Sequence, residues 1–251
     1  MANSPDAQRT LSCLIIMPAW NEDEVIGSTI RELQSTMPGH DLLVVDDGST
    51  DNTARIARAA GASVLQLPYN MGVGGAMRAG FKYAQRLDYD RAIQVDADGQ
   101  HDPRDIERVL AGLDHADISI GARFAERGTY KATGPRRWAM NLLALMFSRV
   151  AKTRLTDVTS GFRAANRRAI SQYCRYFPAE YLGDTIDSLA MALRAGLTVT
   201  QVPVEMRERQ AGKPSNNPYK AAIYLIRSMF AFFISMTRKR MTVNEPEGGS
   251  E

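Results

Sequence analysis

The sequence predicts an α/β protein, a mostly parallel sheet flanked by helices, and three features carry that expectation. Short apolar runs recur at residues 11–17, 41–45, 63–67, 91–95 and 117–121, as strands buried on both faces do. The stretches between them have the length and mixed polarity of crossover helices. Polar clusters follow the runs, so residues with chemistry to offer gather at the strands' carboxyl ends, where open α/β sheets form their ligand crevice.

A chain of 251 residues, 44% apolar and 24% charged, suits one large soluble domain. Its net charge of +3 is too mild to argue for nucleic acid, and no nucleic-acid partner is expected. Cys13 and Cys174 show neither CxxC spacing nor a neighbouring histidine and read as reduced packing residues. Residues 1–10 are polar and lack the apolar core of a secretory signal, which predicts a cytoplasmic protein.

In the first run only Ser12 interrupts the apolar residues, and Pro18 is expected to stop the strand. Ala19, Trp20, Asn21, Glu22, Asp23 and Glu24 then open a helix to about Thr36, the acids lying in the first turn where the helix dipole favours them. The second run ends in Asp46, Asp47, Gly48, Ser49, Thr50 and Asp51. Ser49 or Asp51 can cap the next helix, over residues 53–60, but two adjacent aspartates at a strand end have no such local explanation. After the third run, Asn70, Met71, Gly72, Val73, Gly74, Gly75 and Ala76 lead to a helix over residues 77–85. These glycines would let backbone N–H groups approach a phosphate, or let a neighbouring loop pack closely. They miss the GxGxxG spacing and follow the third strand rather than the first.

The fourth run delivers Gln94, Val95, Asp96, Ala97, Asp98, Gly99, Gln100 and His101. Alternate side chains of an extended segment share a face, so Asp96, Asp98 and Gln100 converge if the chain turns at Gly99. Such oxygens suit Mg²⁺ or Mn²⁺, whose coordination shell substrate phosphates commonly complete. Asp102 and Pro103 start a helix over residues 104–114. The fifth run ends at Ala122, Arg123 and Phe124, with Arg123 placed to pair with a phosphate.

Residues 125–135 read as a loop. In the following helix, residues 136–152, Trp138, Met140, Leu142, Leu143, Leu145, Met146 and Phe147 succeed a basic start of Lys131, Arg136 and Arg137. Core packing and docking at a bilayer both fit that pattern. Residues 157–163 form a turn and short strand before a helix around residues 167–176. Asp184 and Asp187, at the start of a helix running to Arg194 and capped by Gly196, are further carboxylate candidates. A strand over residues 198–204 leads into a basic loop, residues 205–215, suited to anions. Residues 218–241 read as an amphipathic helix whose apolar run, broken by Arg227, falls short of the ~20 residues that span a bilayer. It is expected to lie on a membrane, on a membrane-protein partner or against a second copy of the chain. The predicted organisation is a catalytic domain over residues 1–217, this helix, and a disordered acidic tail over residues 242–251.

Taken in order, Pro18-Ala19-Trp20-Asn21-Glu22, Asp46-Asp47-Gly48-Ser49-Thr50-Asp51, Asp96-Ala97-Asp98-Gly99-Gln100-His101 and Ser160-Gly161-Phe162-Arg163 resemble the family 2 glycosyltransferases, particularly the polyprenyl (dolichyl) phosphate sugar synthases. The resemblance covers residues 11–215. It implies a GT-A, Rossmann-like fold, an inverting mechanism, and a nucleotide-sugar donor bound with Mg²⁺ or Mn²⁺. It further implies that Pro18, Ala19, Trp20 and Glu22 cradle the nucleoside and that Asp47 contacts base or ribose. Asp96 would face the nucleotide sugar, Asp98 and Gln100 would hold the metal on the diphosphate, and Arg123 and Arg209 would meet acceptor or donor phosphates. Gly212-Lys213-Pro214-Ser215 departs from the usual Gly-x-Ser-Lys.

Departure of a nucleoside diphosphate builds negative charge that a metal and arginines stabilise. A lipid phosphate acceptor is already an anion and needs no general base, whereas a sugar hydroxyl would need one, at Asp187 or Asp184. The expected protein is a glycosyltransferase that moves a sugar to polyprenyl phosphate at the cytoplasmic face of the cell membrane. Transfer to a carbohydrate or lipid-linked glycan is the alternative, and a non-catalytic binding subunit the second.

Overall fold

The computed structural model describes residues 11–123, 135–178 and 184–207. Seven strands form one sheet: β1 (Cys13–Ala19), β2 (Asp41–Asp46), β3 (Ser63–Gln66), β4 (Arg91–Gln94), β5 (Ile118–Ala122), β6 (Arg163–Asn166) and β7 (Val199–Pro203), in the order β3-β2-β1-β4-β6-β5-β7. Every pairing is parallel except those of β6, which runs antiparallel to both β4 and β5. Because β6 is reversed, it begins at the edge where its neighbours end. Residues 157–162 therefore enter the sheet at the ligand edge.

Two helical layers cover the sheet. On one face α1 (Ile26–Thr36), α2 (Thr53–Ala59) and α4 (Ile106–Ala111) pack on Ile15, Met17, Val44 and Ile93. On the other α3 (Gly72–Arg86), α5 (Pro135–Ala151), α6 (Arg167–Arg175) and α7 (Asp184–Arg194) pack on Leu14, Ile16, Val45 and Ala92. Residues alternate between the two cores along each strand, as a pleated sheet buried on both sides requires. Cys13 and Cys174 lie in these cores, and burial pushes their thiols up to about 12 and about 11, as expected of packing residues.

Among the boundaries that differ from the sequence expectation, three have a clear local reason. Pro18 does not stop β1, which runs on to Ala19 paired with Asp46 of β2. Ile16 accepts from Val95 N–H on the β4 side and Ala19 accepts from Asp47 N–H on the β2 side, so the missing N–H of Pro18 faces β4. The ladder to β4 ends there, and residues 96–100 are released to turn away. Secondly, α1 starts at Ile26, and Glu22, Asp23 and Glu24 are not in its first turn. Asn21 adopts φ 53° and commits the segment to a loop.

Thirdly, the glycine-rich segment belongs to α3 itself, which begins at Gly72 rather than Met77. Its glycines serve close packing: a Cβ on Gly80 would stand 2.5 Å from Cγ2 of Ile16. Gly80→Ala is accordingly expected to destabilise the fold by about 1–3 kcal/mol through overpacking, read as a lowered urea midpoint with an unchanged m-value. The helix expected over residues 104–114 is split, α4 being flanked by 3₁₀ turns at Pro103–Asp105 and Gly112–Asp114. Residues 208–251, including Arg209, Lys213 and the helix expected over residues 218–241, lie outside the described residues. Among the described residues no helix is long and apolar enough to cross a membrane.

Candidate functional site

The loops after β1 and β2 are joined by hydrogen bonds. Asn21 N–H donates to Ser49 Oγ at 3.0 Å, Asn21 Oδ1 accepts from Thr50 N–H at 2.8 Å, and Glu22 N–H donates to Thr53 Oγ1 at 2.8 Å. Neither expected residue is the N-cap of α2, which is Asn52: Asp51 sits one residue earlier and accepts from Thr53 N–H at 2.9 Å, while Ser49 is used by the β1 loop. Trp20 stays 47% exposed beside this junction, whereas Pro18 and Ala19 are buried strand residues.

The adjacent aspartates divide their labour. Asp46 accepts from Ser49 N–H and Gln66 Nε2, both at 3.1 Å, and holds its own loop. Asp47 accepts from Met71 N–H at 2.7 Å. Burial pushes its carboxyl up and the N–H groups of Met71 and Gly72 pull it back, with a net raised pKa. Asp47 thus fixes the start of α3, a partnership that the sequence did not reveal.

The motif after β4 turns at Gly99, which takes φ 73°. Asp98 is buried and its Oδ1 accepts from Gln100 N–H at 3.0 Å, so these two residues are locked in one turn. Gln100 O accepts from Arg207 N–H at 3.0 Å, and His101 forms a bridge with Met206. The Arg207 guanidinium reaches Glu32 at 2.5 Å and Asp102 at 3.0 Å. The chain leaving β7 is thereby pinned across the motif two residues before Arg209.

Asp96 keeps 40% of its side chain exposed and is held by groups that sequence reasoning passed over. Gln94 Nε2 donates to its Oδ1 at 3.1 Å, and its N–H donates to His101 Nδ1 at 3.1 Å. A nitrogen that accepts carries no proton, so the neutral ring holds its proton on Nε2, 3.7 Å from Asp96 Oδ2. The ring is stacked on Phe162 at 4.6 Å between centroids. Gly161 leaves the room for this arrangement: a Cβ there would stand 2.9 Å from Gln94 Nε2 and 3.6 Å from both Asp96 oxygens. His101→Phe preserves the stacking and orphans the Asp96 N–H. A loss of about 1–3 kcal/mol in unfolding free energy is expected from urea titration.

Arg123 reaches the same edge but is tightly engaged. Its Nε donates to Asp157 Oδ2 at 2.6 Å, its Nη2 to Asp157 Oδ1 at 3.1 Å and to Thr159 Oγ1 at 2.9 Å. Asp157 carried no role in the sequence reading, although its spacing from Thr159 is that of a self-capped turn. Arg163 is buried and clasps three carbonyls, those of Ser160 at 2.8 Å, Val158 at 2.6 Å and Thr185 at 2.6 Å. It ties the start of α7, which carries Asp187, to the loop that packs on Asp96.

In sum the edge offers hard oxygen donors at Asp96, Asp98 and Gln100, an exposed indole, and an anchored guanidinium. Among the described residues there is no cluster of three or more His, Cys, Asp or Glu able to hold a metal by itself. Two carboxylates and an amide are a donor set that fits Mg²⁺ or Mn²⁺ when substrate oxygens complete the shell.

A mostly parallel sheet covered by helices on both faces, with an acidic edge, is a fold of the GT-A type. The chain belongs to glycosyl transferase family 2, whose profile matches residues 14–174. It is 30% identical over 230 residues to the polyprenol monophosphomannose synthase of Mycolicibacterium smegmatis, covering 87% of this chain and 86% of the relative. It is 32% identical to the undecaprenyl-phosphate mannosyltransferase of Micrococcus luteus, covering 80% and 85%. Among solved structures, glucosyl-3-phosphoglycerate synthase from Mycobacterium tuberculosis, crystallised with Mn²⁺, UDP and glucosyl-3-phosphoglycerate, superposes with a TM-score of 0.67. That match covers 90% of this chain and 79% of the other at 24% identity, and it shows a shared fold.

Proposed function

We propose that this protein transfers a sugar from a nucleotide sugar to polyprenyl phosphate, with inversion at the anomeric carbon. The observation that carries the reading is the near full-length similarity to two transferases named for polyprenyl phosphate acceptors, joined to an acidic edge suited to a nucleoside diphosphate. Pro18, Ala19, Trp20 and Glu22 line the nucleoside, with the Trp20 indole as its stacking surface and Asp47 beside base or ribose. Asp96 faces the sugar, positioned by Gln94 and His101.

Asp98 and Gln100 would hold Mg²⁺ or Mn²⁺, with the diphosphate completing its shell. When bound, the metal supplies charge that stabilises the departing diphosphate, as it accompanies UDP in the structurally similar synthase. Arg123 and Arg209 bind phosphate oxygens, and the Arg123 plane is oriented by Asp157. The acceptor phosphate is an anion at neutral pH, so Asp187 is not required to remove a proton. The place of reaction is the cytoplasmic face of the cell membrane, with residues 1–217 as catalytic domain, residues 218–241 as contact with the bilayer, a membrane-protein partner or a second copy, and residues 242–251 as tail.

Radiolabelled nucleotide sugars offered with polyprenyl phosphate alone, in the presence of Mn²⁺, are expected to yield a labelled, organic-extractable lipid. Label that stays in water with every donor would refute the reading.

A further inference from the structure

Gln100 has both main-chain polar groups engaged: its N–H donates to Asp98 Oδ1 and its C=O accepts from Arg207 N–H, each at 3.0 Å. The residue before it is Gly99, whose left-handed φ of 73° gives the turn its direction but no stiffness of its own. Whatever braces the turn from outside therefore sets where the Asp98 and Gln100 oxygens stand. Helix α1 and the chain after β7 supply that brace. Thr29 Oγ1 of α1 donates to Ala97 O at 3.1 Å. Met206 bridges His101, Glu205 N–H donates to Asp105 Oδ2 at 3.0 Å, and the Arg207 guanidinium spans Glu32 of α1 at 2.5 Å and Asp102 at 3.0 Å.

The two ion pairs of Arg207 are poorly placed to stabilise the fold. The Glu32 side chain is 37% and the Arg207 side chain 29% exposed, where water screens an ion pair. Asp102 is buried, but Arg104 already holds both its oxygens, at 3.0 Å and 2.6 Å, so removing the Arg207 guanidinium strands no charge. What the guanidinium adds is position. It ties α1, the residue that follows the motif and the exit of β7 to one point, two residues before Arg209. A cation held by one carboxylate and one amide depends on having those oxygens in place beforehand, because ordering them on binding would offset much of what so few ligands contribute.

We propose that Arg207 is a positioning residue, which through Glu32 and Asp102 holds the Asp98–Gln100 turn ready for the divalent cation. The inference rests on the metal role proposed above for that turn. It gives Glu32 a part in cation affinity.

Thermal unfolding of the full chain at rising Mn²⁺, with UDP or GDP held constant in turn, tests it. Glu32→Gln and Arg207→Gln are each expected to shift the rise in midpoint to about tenfold higher Mn²⁺, the size typical when groups that orient metal ligands are removed. The two substitutions alter net charge in opposite senses, so a shared weakening cannot come from long-range attraction for the cation. Arg207→Gln keeps the main-chain bond to Gln100, and the double substitution is expected to bind no more weakly than Arg207→Gln alone, as a single clasp demands. Arg104→Gln, which removes the exposed partner of Asp102 but leaves the clasp, is expected to move the curve by about twofold at most. Urea midpoints near that of the wild-type chain would show the variants folded. A Mn²⁺ requirement unchanged in Glu32→Gln and Arg207→Gln, or one that falls with Arg207→Gln and rises with Glu32→Gln as charge alone dictates, would overturn the proposal. A wild-type chain that gains no stability from Mn²⁺ with either nucleotide would overturn the metal reading itself, and the proposal with it.

Discussion

Asp98→Asn is expected to lower turnover by about three orders of magnitude or more while leaving the fold intact. The substitution separates two roles that Asp98→Ala would confuse. Asp98 accepts from Gln100 N–H at 3.0 Å, and an asparagine oxygen can accept the same bond, so the turn at Gly99 survives. What disappears is the negative charge with which Asp98, in the proposed function, would hold a divalent cation. Two measurements follow. The urea midpoint of the variant should match that of the wild-type chain within about 0.5 kcal/mol. The thermal stabilisation that Mn²⁺ and a nucleoside diphosphate jointly confer should vanish, because a ligand that no longer binds the folded state cannot raise its stability. Retention of that stabilisation in Asp98→Asn would remove Asp98 from the metal site. Asp98→Ala should lose the activity too, with an additional stability cost of about 1 kcal/mol from the orphaned Gln100 N–H.

The sheet and its ligand edge were legible because the first two strands are nearly pure apolar runs and each parallel crossover brings the chain back to the same side. The acidic residues could then be placed by counting alone. What the sequence concealed were reversals and partnerships. The antiparallel setting of β6 leaves no mark on a strand as short as Arg163–Asn166, since its direction follows from where the long excursion through α5 returns. Pro18 looked like a terminator because pattern reading cannot say which side of a strand lacks a neighbour. The glycines before Met77 looked like a loop because helix propensity disfavours them, and the burial of Gly72, Gly74 and Gly75 that overrides propensity is a tertiary fact.

The same holds within the site. Asp96, Asp98 and Gln100 announce themselves by spacing, but the hydrogen bonds that Gln94 and His101 make to Asp96 depend on side-chain orientation that spacing does not fix, and Asp157 acts on Arg123 from far along the chain. His101 directly follows the motif, and that adjacency was the available signal. For Arg207 the signal was weaker still, one arginine in a run of alternating charge, yet it pins the β7 exit to Gln100 and Asp102.

Arg123→Ala is expected to be among the most destabilising single changes at the ligand edge, costing about 3–5 kcal/mol at neutral pH, and more than Asp157→Asn. The asymmetry follows from burial. The Asp157 side chain is 0% exposed and the Arg123 side chain 31% exposed, so removing the arginine strands a carboxylate away from water, while removing the carboxylate leaves a guanidinium that water can reach. Arg123→Lys should recover little, because an ammonium cannot span both Asp157 oxygens and Thr159.

The dependence on pH distinguishes this pair from mere packing. Burial pushes the Asp157 carboxyl up, and the hydrogen bonds and charge of Arg123, helped by Thr159, outweigh it, so its pKa in the folded protein lies below the ordinary 3.8. A depressed folded pKa contributes stability above the unfolded value and loses it as pH falls through the folded one. The gap between wild type and Arg123→Ala should therefore be full at neutral pH, begin to shrink as the stranded Asp157 carboxylate of the variant, raised by burial without its partner, takes up a proton, and shrink further as the wild-type pair is lost below about 4. Urea unfolding across that range reads it directly, and a gap that stays constant into acid would mean that packing, not charge, holds Arg123. At neutral pH the partly conserved turn in Asp157→Asn leaves a guanidinium that is present but no longer held in one plane. KM for the phosphorylated substrate is then expected to rise more than kcat falls, the behaviour of a phosphate ligand whose orientation, rather than its charge, has been lost.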